Sequence, residues 1–201
     1  MEQSLSVSPQ VTQIPRLGAG FGLRAGAQVI DLIVHNVVGV AVGLIIGVLI
    51  GLYAFATGMP PSVLSAKLQA STPVGYIFPL LGYVFYHAIS EGMYGATVGK
   101  LIFKIHVLNE DGNPVAIGPA FVRSFAFYID GLFFGIVAAA NMRSSELQQR
   151  LGDKWAKTVV VERSAFNQFQ RPSGWKFVMV FLLAIAVDGF IFALSLLFKL
   201  L

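Results

Sequence analysis

Residues 25 to 56 read AGAQVIDLIVHNVVGVAVGLIIGVLIGLYAFA, and this run decides the fold class of the chain. Strongly polar side chains occur only near its beginning, at Gln28, Asp31, His35 and Asn36. About 20 apolar residues suffice to cross the roughly 30 Å hydrocarbon core of a bilayer, so this longer run can cross it while tilted. The run therefore predicts a transmembrane helix that ends at the polar turn of residues 57–61.

The composition of the whole chain also indicates a membrane protein. Of its 201 residues, 56% are hydrophobic and 12% are charged, which is about half the charged share of a soluble domain. Mean hydropathy is +0.73. These values exclude an ordinary soluble enzyme, a disordered chain and a nucleic-acid-coating protein, so we expect no nucleic-acid partner. The absence of cysteine excludes disulfides, thiolate catalysis and Cys-ligated metals.

Further apolar runs predict an all-α membrane protein with three to four transmembrane helices. Residues 1–15 are polar and are interpreted as a mobile tail, and residues 1–20 lack the features of a cleaved signal peptide. The second span is expected from Pro73 to Glu91 with a kink at Pro79, and the last from about Trp175 to Leu200. Two short strands, near residues 101–108 and 158–161, predict a small cytoplasmic β element, with His106 on its exposed face.

The third apolar segment, residues 119–140, is interrupted by Arg123 and Asp130. If it crossed the membrane, the basic loop that follows would face outward, against the positive-inside rule. A re-entrant hairpin keeps that loop in the cytoplasm and is favoured, while a plain crossing with Arg123 snorkelling stays open. Either way, we expect a multi-pass protein of a prokaryotic cytoplasmic membrane with a cytoplasmic N-terminus. The loop, residues 141–176, holds half of the 14 basic residues: Arg143, Arg150, Lys154, Lys157, Arg163, Arg171 and Lys176.

A polar stripe runs along the first helix. Arg24, Gln28, Asp31 and His35 follow one another at spacings of four, three and four residues, which places them within a sector of about 60°. A charge that faces lipid is costly, so the stripe should face protein or water. It is interpreted as an internal salt-bridge network, as the lining of an ion or proton path, or as a ligand pocket.

The second helix carries a stripe of its own, formed by Tyr76, Tyr83, His87, Glu91 and Tyr94. His87 and Glu91 are four residues apart and can interact. Glu91 and Arg24 are predicted at similar depth and could pair, while aromatic interface anchors are the alternative interpretation. Asp130 and Asp188 are each embedded in apolar sequence, where a carboxylate marks a candidate functional site. For Asp188 the plainer alternative is a hydrogen bond to another helix.

The first helix also contains Gly39, Gly43, Gly47 and Gly51, a repeated G-x-x-x-G pattern. Glycine at this spacing lets two helix backbones approach closely in lipid, so the row predicts a packing groove for another helix or another subunit. No metalloprotease, serine-hydrolase or phosphate-loop motif is present. We therefore predict no catalytic residues, no metal site, no cofactor and no enzymatic activity.

Three blocks of the sequence resemble the RDD family of small membrane proteins. The first is Gly20-Phe21 with Arg24 and Asp31, and the second is Glu91 followed by Gly95-x-Thr97-x-Gly99-Lys100, with Val98 in place of the usual proline. The third is Gln149-Arg150-Leu151-Gly152-Asp153 with Ala156 and Thr158-Val159-Val160-Val161, with Lys157 in place of glycine. The resemblance implies a membrane domain over residues 16–163, followed by a linker and C-terminal helix at 164–201. It also implies cation/proton exchange, which has been proposed for some members.

Two functions follow as hypotheses. The first is cation or proton transport with Asp31, Glu91, His35, His87 and Asp188 as binding candidates. Arg24, Asp31, Asp130, Arg123 and Asp153 would form a charge network around them. The second is a non-catalytic membrane subunit or assembly factor that docks through the glycine row and the basic loop. The expected partners are the lipid bilayer, a cation or proton, and a second copy or a larger complex.

Overall fold

The computed structural model describes residues 18–63, 66, 73–165 and 173–200. The predicted tail at 1–15, together with Lys67 and Arg171, lies outside these residues, as does most of the linker that follows residue 165. The first helix, α1 (Phe21–Thr57), ends where Gly58 adopts a left-handed conformation at φ 65°. Its apolar side chains are largely exposed, with Val40 64% and Leu44 67% accessible. Such a surface on a helix is typical of one that faces lipid.

The second helix, α2 (Pro73–Tyr94), contains Pro79 in its interior. The last helix, α7 (Gly174–Leu200), packs along it. The Tyr94 and Phe177 rings lie 5.0 Å apart at one end of this interface. The C-terminal helix therefore packs on the membrane domain.

Two helices in the described residues are long and apolar enough to cross a membrane. They are α1 and the Gly174–Leu196 part of α7. A bent pair of shorter helices makes a third candidate if it counts as one span. The second predicted span does form a helix, α2, but this helix is not among the candidates.

The segment after α2 corrects the predicted strand. Residues 98–102 form a short helix, α3 (Val98–Ile102), because the Thr97 hydroxyl accepts a hydrogen bond from the Lys100 N–H and caps its first turn. Strand β1 (Ile105–Asn109) begins only after Lys104, whose φ is 55°. The prediction that one face of this strand is exposed is wrong, because both faces of β1 are covered.

His106 on β1 is buried, not exposed as the sequence suggested. Its ring fills the space beside Gly95, where φ is 88° and any Cβ would collide with the imidazole. The centroids of the His106 and Tyr94 rings are 6.0 Å apart. Gly95, directly after α2, therefore leaves the space that the His106 ring occupies, and this allows β1 to pack against the end of that helix.

Helices α4 (Ile117–Asp130) and α5 (Leu132–Arg143) form the bent pair in the third apolar segment. The direction of α4 differs by 112° from that of the Gly135–Arg143 part of α5, and Gly135 has a φ of 83°. A straight crossing helix is therefore wrong for this segment, and the sharp break is typical of a broken span or a re-entrant loop.

Helix α6 (Leu151–Trp155) and strand β2 (Thr158–Glu162) complete the fold, followed by a single 3₁₀ turn at Arg163–Ala165. The two strands pair antiparallel, with Ile105 opposite Glu162 and Asn109 opposite Thr158. The predicted pairing is thus confirmed. The Ala19 N–H donates to the Val160 carbonyl over 2.7 Å, so the chain just before α1 is held beside the same sheet.

Candidate functional site: a buried charge cluster and a polar line

Glu91, near the end of α2, is hydrogen-bonded to two side chains and ion-paired with a third. Lys100 Nζ on α3 lies 2.6 Å from Oε1, and His87 Nδ1 lies 3.1 Å from the same oxygen. Arg123 Nη1 on α4 lies 3.2 Å from Oε2. All four side chains are buried. A carboxylate in so dry a place is stable only when it is paired in this way.

Asp153 on α6 is the second anion of the charge cluster. We use this name for the ion-paired set Arg24, His87, Glu91, Lys100, Arg123, Arg150 and Asp153. Its carboxylate pairs with Nη1 of Arg24, lies 2.9 Å from Arg123 Nη2, and lies 3.8 Å from Arg150 Nε. Burial alone raises the pKa of Asp153, but the guanidinium groups of Arg123, Arg24 and Arg150 outweigh burial and hold this pKa well below its usual value. Asp153 is therefore ionised at any physiological pH.

Arg123 joins the two anions, because it contacts both Glu91 and Asp153. It is 1% exposed, so the alternative in which it snorkels toward the interface is wrong. Arg24 pairs with Asp153 and not with Glu91 as predicted, although both residues belong to one continuous set of ion pairs. Of the residues in the predicted network, the structure brings Arg24, Arg123 and Asp153 into contact.

Asp130 and Asp31 belong to that predicted network but form no ion pair within the described residues. Asp130, at the end of α4, accepts from the backbone N–H groups of Leu151 and Gly152 at 3.1 and 3.3 Å. It caps the free N–H groups at the start of α6, as carboxylates commonly do.

Asp31 is completely buried on α1 and accepts three hydrogen bonds. Its donors are the Tyr86 hydroxyl at 3.0 Å, the Thr97 hydroxyl at 2.6 Å and the Gly99 N–H at 2.8 Å. The aspartate thereby ties α1 to α2 and α3.

Asp188 and His35 meet at the α1–α7 interface. His35 Nδ1 lies 2.8 Å from Asp188 Oδ2, which confirms a hydrogen bond from Asp188 to another helix. Asp188 Oδ1 is buried and accepts no hydrogen bond from any residue that the structure describes. This oxygen sits against Gly82 on α2, where a side chain would collide with it.

A line of polar groups leads from His35 back to the charge cluster. The His35 ring packs edge-on against Tyr83 at 5.1 Å between centroids, and the Gln28 amide donates to the Tyr83 hydroxyl. Gln28 Nε2 also lies 3.3 Å from His87 Nε2. Because the amide donates, a neutral His87 accepts at Nε2 and donates from Nδ1 to Glu91. The two polar stripes of the sequence thus face each other, while the side chain of Tyr76 lies outside the described residues.

A small cavity of about 10 Å³ adjoins this line, with room for about one water molecule. It is lined by Gln28, Tyr83, His87, Glu91, Arg123, Ser124, Phe127 and Arg150. Residues of the polar line and of the charge cluster therefore both line this cavity.

The predicted glycine row divides into two halves. Cβ atoms added at Gly39 and Gly43 would lie 3.5 and 3.7 Å from the Phe192 ring on α7, so these glycines pack inside the molecule. Added at Gly47 or Gly51, a Cβ would meet no described atom within 4 Å. The row is an internal groove over its first half and an open face over its second.

The family model of the RDD family matches residues 18–157, more than half of the chain. The chain belongs to the RDD family. No curated protein and no solved structure gave a match. Together with its apolar helices, membership identifies an integral membrane protein. The RDD match includes the whole charge cluster, whereas Asp188 and α7 lie beyond its end.

Sequence reasoning missed four contributors within the RDD region: Lys100, Arg150, Thr97 and Tyr86. The first three stand in blocks that resemble the RDD family, and this was the signal that could have found them. Tyr86 lies off the second stripe, and nothing in the local pattern marks it as the donor to Asp31.

Proposed function

We propose that this RDD protein transports protons, or exchanges them for another cation, along the polar line between Asp188 and Glu91. The observation that carries the proposal is the continuity of the line from the middle of α7 to the end of α2. Two carboxylate–histidine pairs, Asp188 with His35 and Glu91 with His87, stand at its two ends. Chains of Asp, Glu and His inside the membrane are the usual carriers of protons in pumps and transporters.

The depth of these groups supports a path through the bilayer. Asp188 lies about midway along the 27-residue α7, and His35 lies about 21 Å from the start of α1 at 1.5 Å per residue. Along the polar line, His35 and Tyr83 are joined by a ring contact, whereas the other neighbouring groups are joined by hydrogen bonds. A proton would pass this point by rotation of the His35 ring or through one water molecule.

Not every predicted candidate belongs to the path. All three described donors around Asp31 are neutral and come from fixed positions of the fold. We therefore assign Asp31 to holding α1 and α3 together. Proton binding is assigned to Asp188 and the two histidines, while Glu91, which pairs with Lys100 and Arg123, orients His87 at the end of the line.

The sheet supports a topology for the transporter. β1 precedes α4, β2 follows α6, and the two strands pair in one sheet. The segment between them therefore begins and ends at the same face of the membrane. With α4–α5 as a re-entrant pair, α1 and α7 each cross the membrane. The less apolar α2 would make a third crossing, because its end at Gly95 is hydrogen-bonded to β1 and so lies back at the sheet. The basic residues around α6 and β2 then favour the cytoplasm for the sheet and the N-terminus.

The test uses the purified chain reconstituted into liposomes that enclose a pH-sensitive dye. An imposed pH gradient, with and without a Na⁺ or K⁺ gradient, should drive dye-detected proton flux in the wild type. We expect Asp188→Asn to lower this flux more than tenfold, since an amide cannot release a proton, and His35→Gln to lower it similarly.

Asp111→Asn is the matched control, because it makes the same change at an exposed turn. It should leave flux unchanged. Equal flux in wild type and Asp188→Asn would refute the path, provided that both variants show the thermal unfolding midpoint of the folded protein.

A second candidate function is a non-catalytic subunit of a membrane complex. The specific observation in its favour is the open face at Gly47 and Gly51, where a close-packed helix of another chain would fit. Gly47→Leu should then abolish co-purification with the partner and leave the isolated chain folded. Flux by the isolated chain with no retained partner would argue against this role.

A further inference from the structure

A groove opens between the first turns of α1 and the break between α4 and α5, and its lining shares Gln28 and Tyr83 with the polar line. Its volume is about 290 Å³. Its walls are mainly apolar, and Arg24, Arg150 and Asp130 are its charged lining residues. The lining residues that matter are Phe21, Val29, Leu32, Phe127, Arg24 and Arg150.

Both arginines keep unused hydrogen-bonding capacity at this groove. Arg24 is 6% exposed, and its Nη2 is buried with no hydrogen-bond partner among the residues that the structure describes. Arg150 Nε is likewise buried and makes no hydrogen bond within the described part of the chain. Both guanidinium groups pair with Asp153, a single carboxylate that Arg123 also contacts, so the positive charge beside the groove still favours an anionic acceptor that the fold itself does not supply.

The acids nearby do not satisfy this need. Asp153 is already shared among three guanidinium groups. Asp130 also lines the groove, but both of its oxygens accept from backbone N–H groups of α6.

The groove combines charged and apolar lining residues, as a site for an amphiphilic ligand does. Arg24 lies in the first turn of α1, at the level of a phosphate group if this helix crosses the bilayer. Leu32 lies about 12 Å further along the helix axis, toward the hydrocarbon. The exposed side chains of Val29 and Leu32 continue the apolar wall in that direction.

We propose that this groove binds one anionic phospholipid, with its phosphate at Arg24 and Arg150 and an acyl chain along Val29 and Leu32. Basic pockets between membrane helices are typical sites for anionic headgroups. The apolar walls assign the site to a lipid and not to free phosphate. This assignment does not depend on the proposed transport path.

The test is native mass spectrometry of the full chain in detergent with equal amounts of phosphatidylglycerol and phosphatidylcholine of the same acyl chains. We expect phosphatidylglycerol to be retained about tenfold more, a ratio that corresponds to about one charge-assisted hydrogen bond. Excess inorganic phosphate should not displace it. Equal retention of the two lipids, or complete displacement by phosphate, would overturn the proposal.

Variants locate the site. Arg150→Gln should lower phosphatidylglycerol retention about tenfold. The matched control Lys154→Gln removes a charge from α6, which begins directly after Arg150, at a position outside the groove, and should change retention less than about twofold. Val29→Trp fills the groove without changing its charge and should also lower retention. If Arg150→Gln does not fold, unchanged retention in Val29→Trp is enough to reject the site.

Discussion

Asp31 and Asp188 are the same residue type in two opposite situations. Asp31 accepts from three donors that the fold holds in fixed positions. Asp188 has His35 at one oxygen, while the other makes no hydrogen bond within the described residues. A fully satisfied carboxylate stabilises a structure, whereas the second Asp188 oxygen keeps the capacity for a further hydrogen bond. This difference separates the structural aspartate from the transport candidate.

His106 gives a residue-scale prediction about pH. Burial, followed by the charge of Arg163, lowers its pKa from 6.5 to about 4. Between these two values the unfolded chain binds a proton that the folded chain does not, so stability falls as the pH drops through this window. The expected loss is roughly 3 kcal/mol. Thermal unfolding between pH 7.5 and 4 should show a clearly smaller pH dependence in His106→Gln than in the wild type.

The other titrating groups are common to both proteins in this comparison. The difference between the two pH profiles therefore isolates His106. Identical profiles would mean that the imidazole is protonated in the folded protein as readily as in the unfolded chain.

At the scale of elements, α1 and α3 meet at a point where only glycine fits. A Cβ on Gly99 would collide with the Ala27 carbonyl oxygen, and the Gly99 N–H donates to Asp31. We expect Gly99→Ala to lower the free energy of unfolding by about 2 kcal/mol, because overpacking a dense contact forces the backbone apart. Denaturant titration of the purified chain measures this change.

Gly118→Ala provides the matched control for Gly99→Ala. A Cβ at Gly118 meets no described atom within 4 Å, and alanine favours the helix over glycine. Its stability should be unchanged or slightly higher. Equal losses in both variants would show that the close approach at α3 contributes nothing.

The sequence predicted the elements whose signal is long and periodic. The apolar run of α1, the helix from Pro73 and the C-terminal helix each extend over many turns, so local hydrophobicity suffices. It failed at α3, where a pattern over four or five residues reads as a strand as easily as a helix. Only the cap from Thr97 and the turn at Lys104 decide between them, and both depend on contacts with α1 and β1.

The candidate site was predicted only in part, for a related reason. Helical spacing placed Gln28 on the same face as His35, and His87 beside Glu91, because these relations lie within one helix. The position of Arg150 and the burial of Arg123 depend on α6 being carried back to α4, and the antiparallel pairing of β1 with β2 brings this about. No pattern within α4 reveals that its arginine meets two carboxylates from distant parts of the chain.

At the scale of the whole molecule, the sheet and the charge cluster together hold one end of the helices in place. Ala19, Gly95, β1 and β2 are all joined by backbone hydrogen bonds. The chain therefore returns to this end after α2 and again after α5. These backbone hydrogen bonds also bring Arg24, Glu91 and Asp153 together, so the topology and the charge cluster depend on each other.

This topology predicts which positions share a side of the membrane. The chain has no cysteine, so single-cysteine variants report without a background. Asp111→Cys and Ser144→Cys, both at exposed positions, flank the α4–α5 segment, whereas Thr57→Cys lies at the far end of α1. In intact cells an impermeant maleimide should label only the Thr57→Cys variant, and in inverted vesicles only the other two. Labelling of Asp111→Cys and Ser144→Cys from opposite sides would mean that α4–α5 crosses the bilayer. The sheet could then not form between β1 and β2, and a re-entrant pair would be wrong.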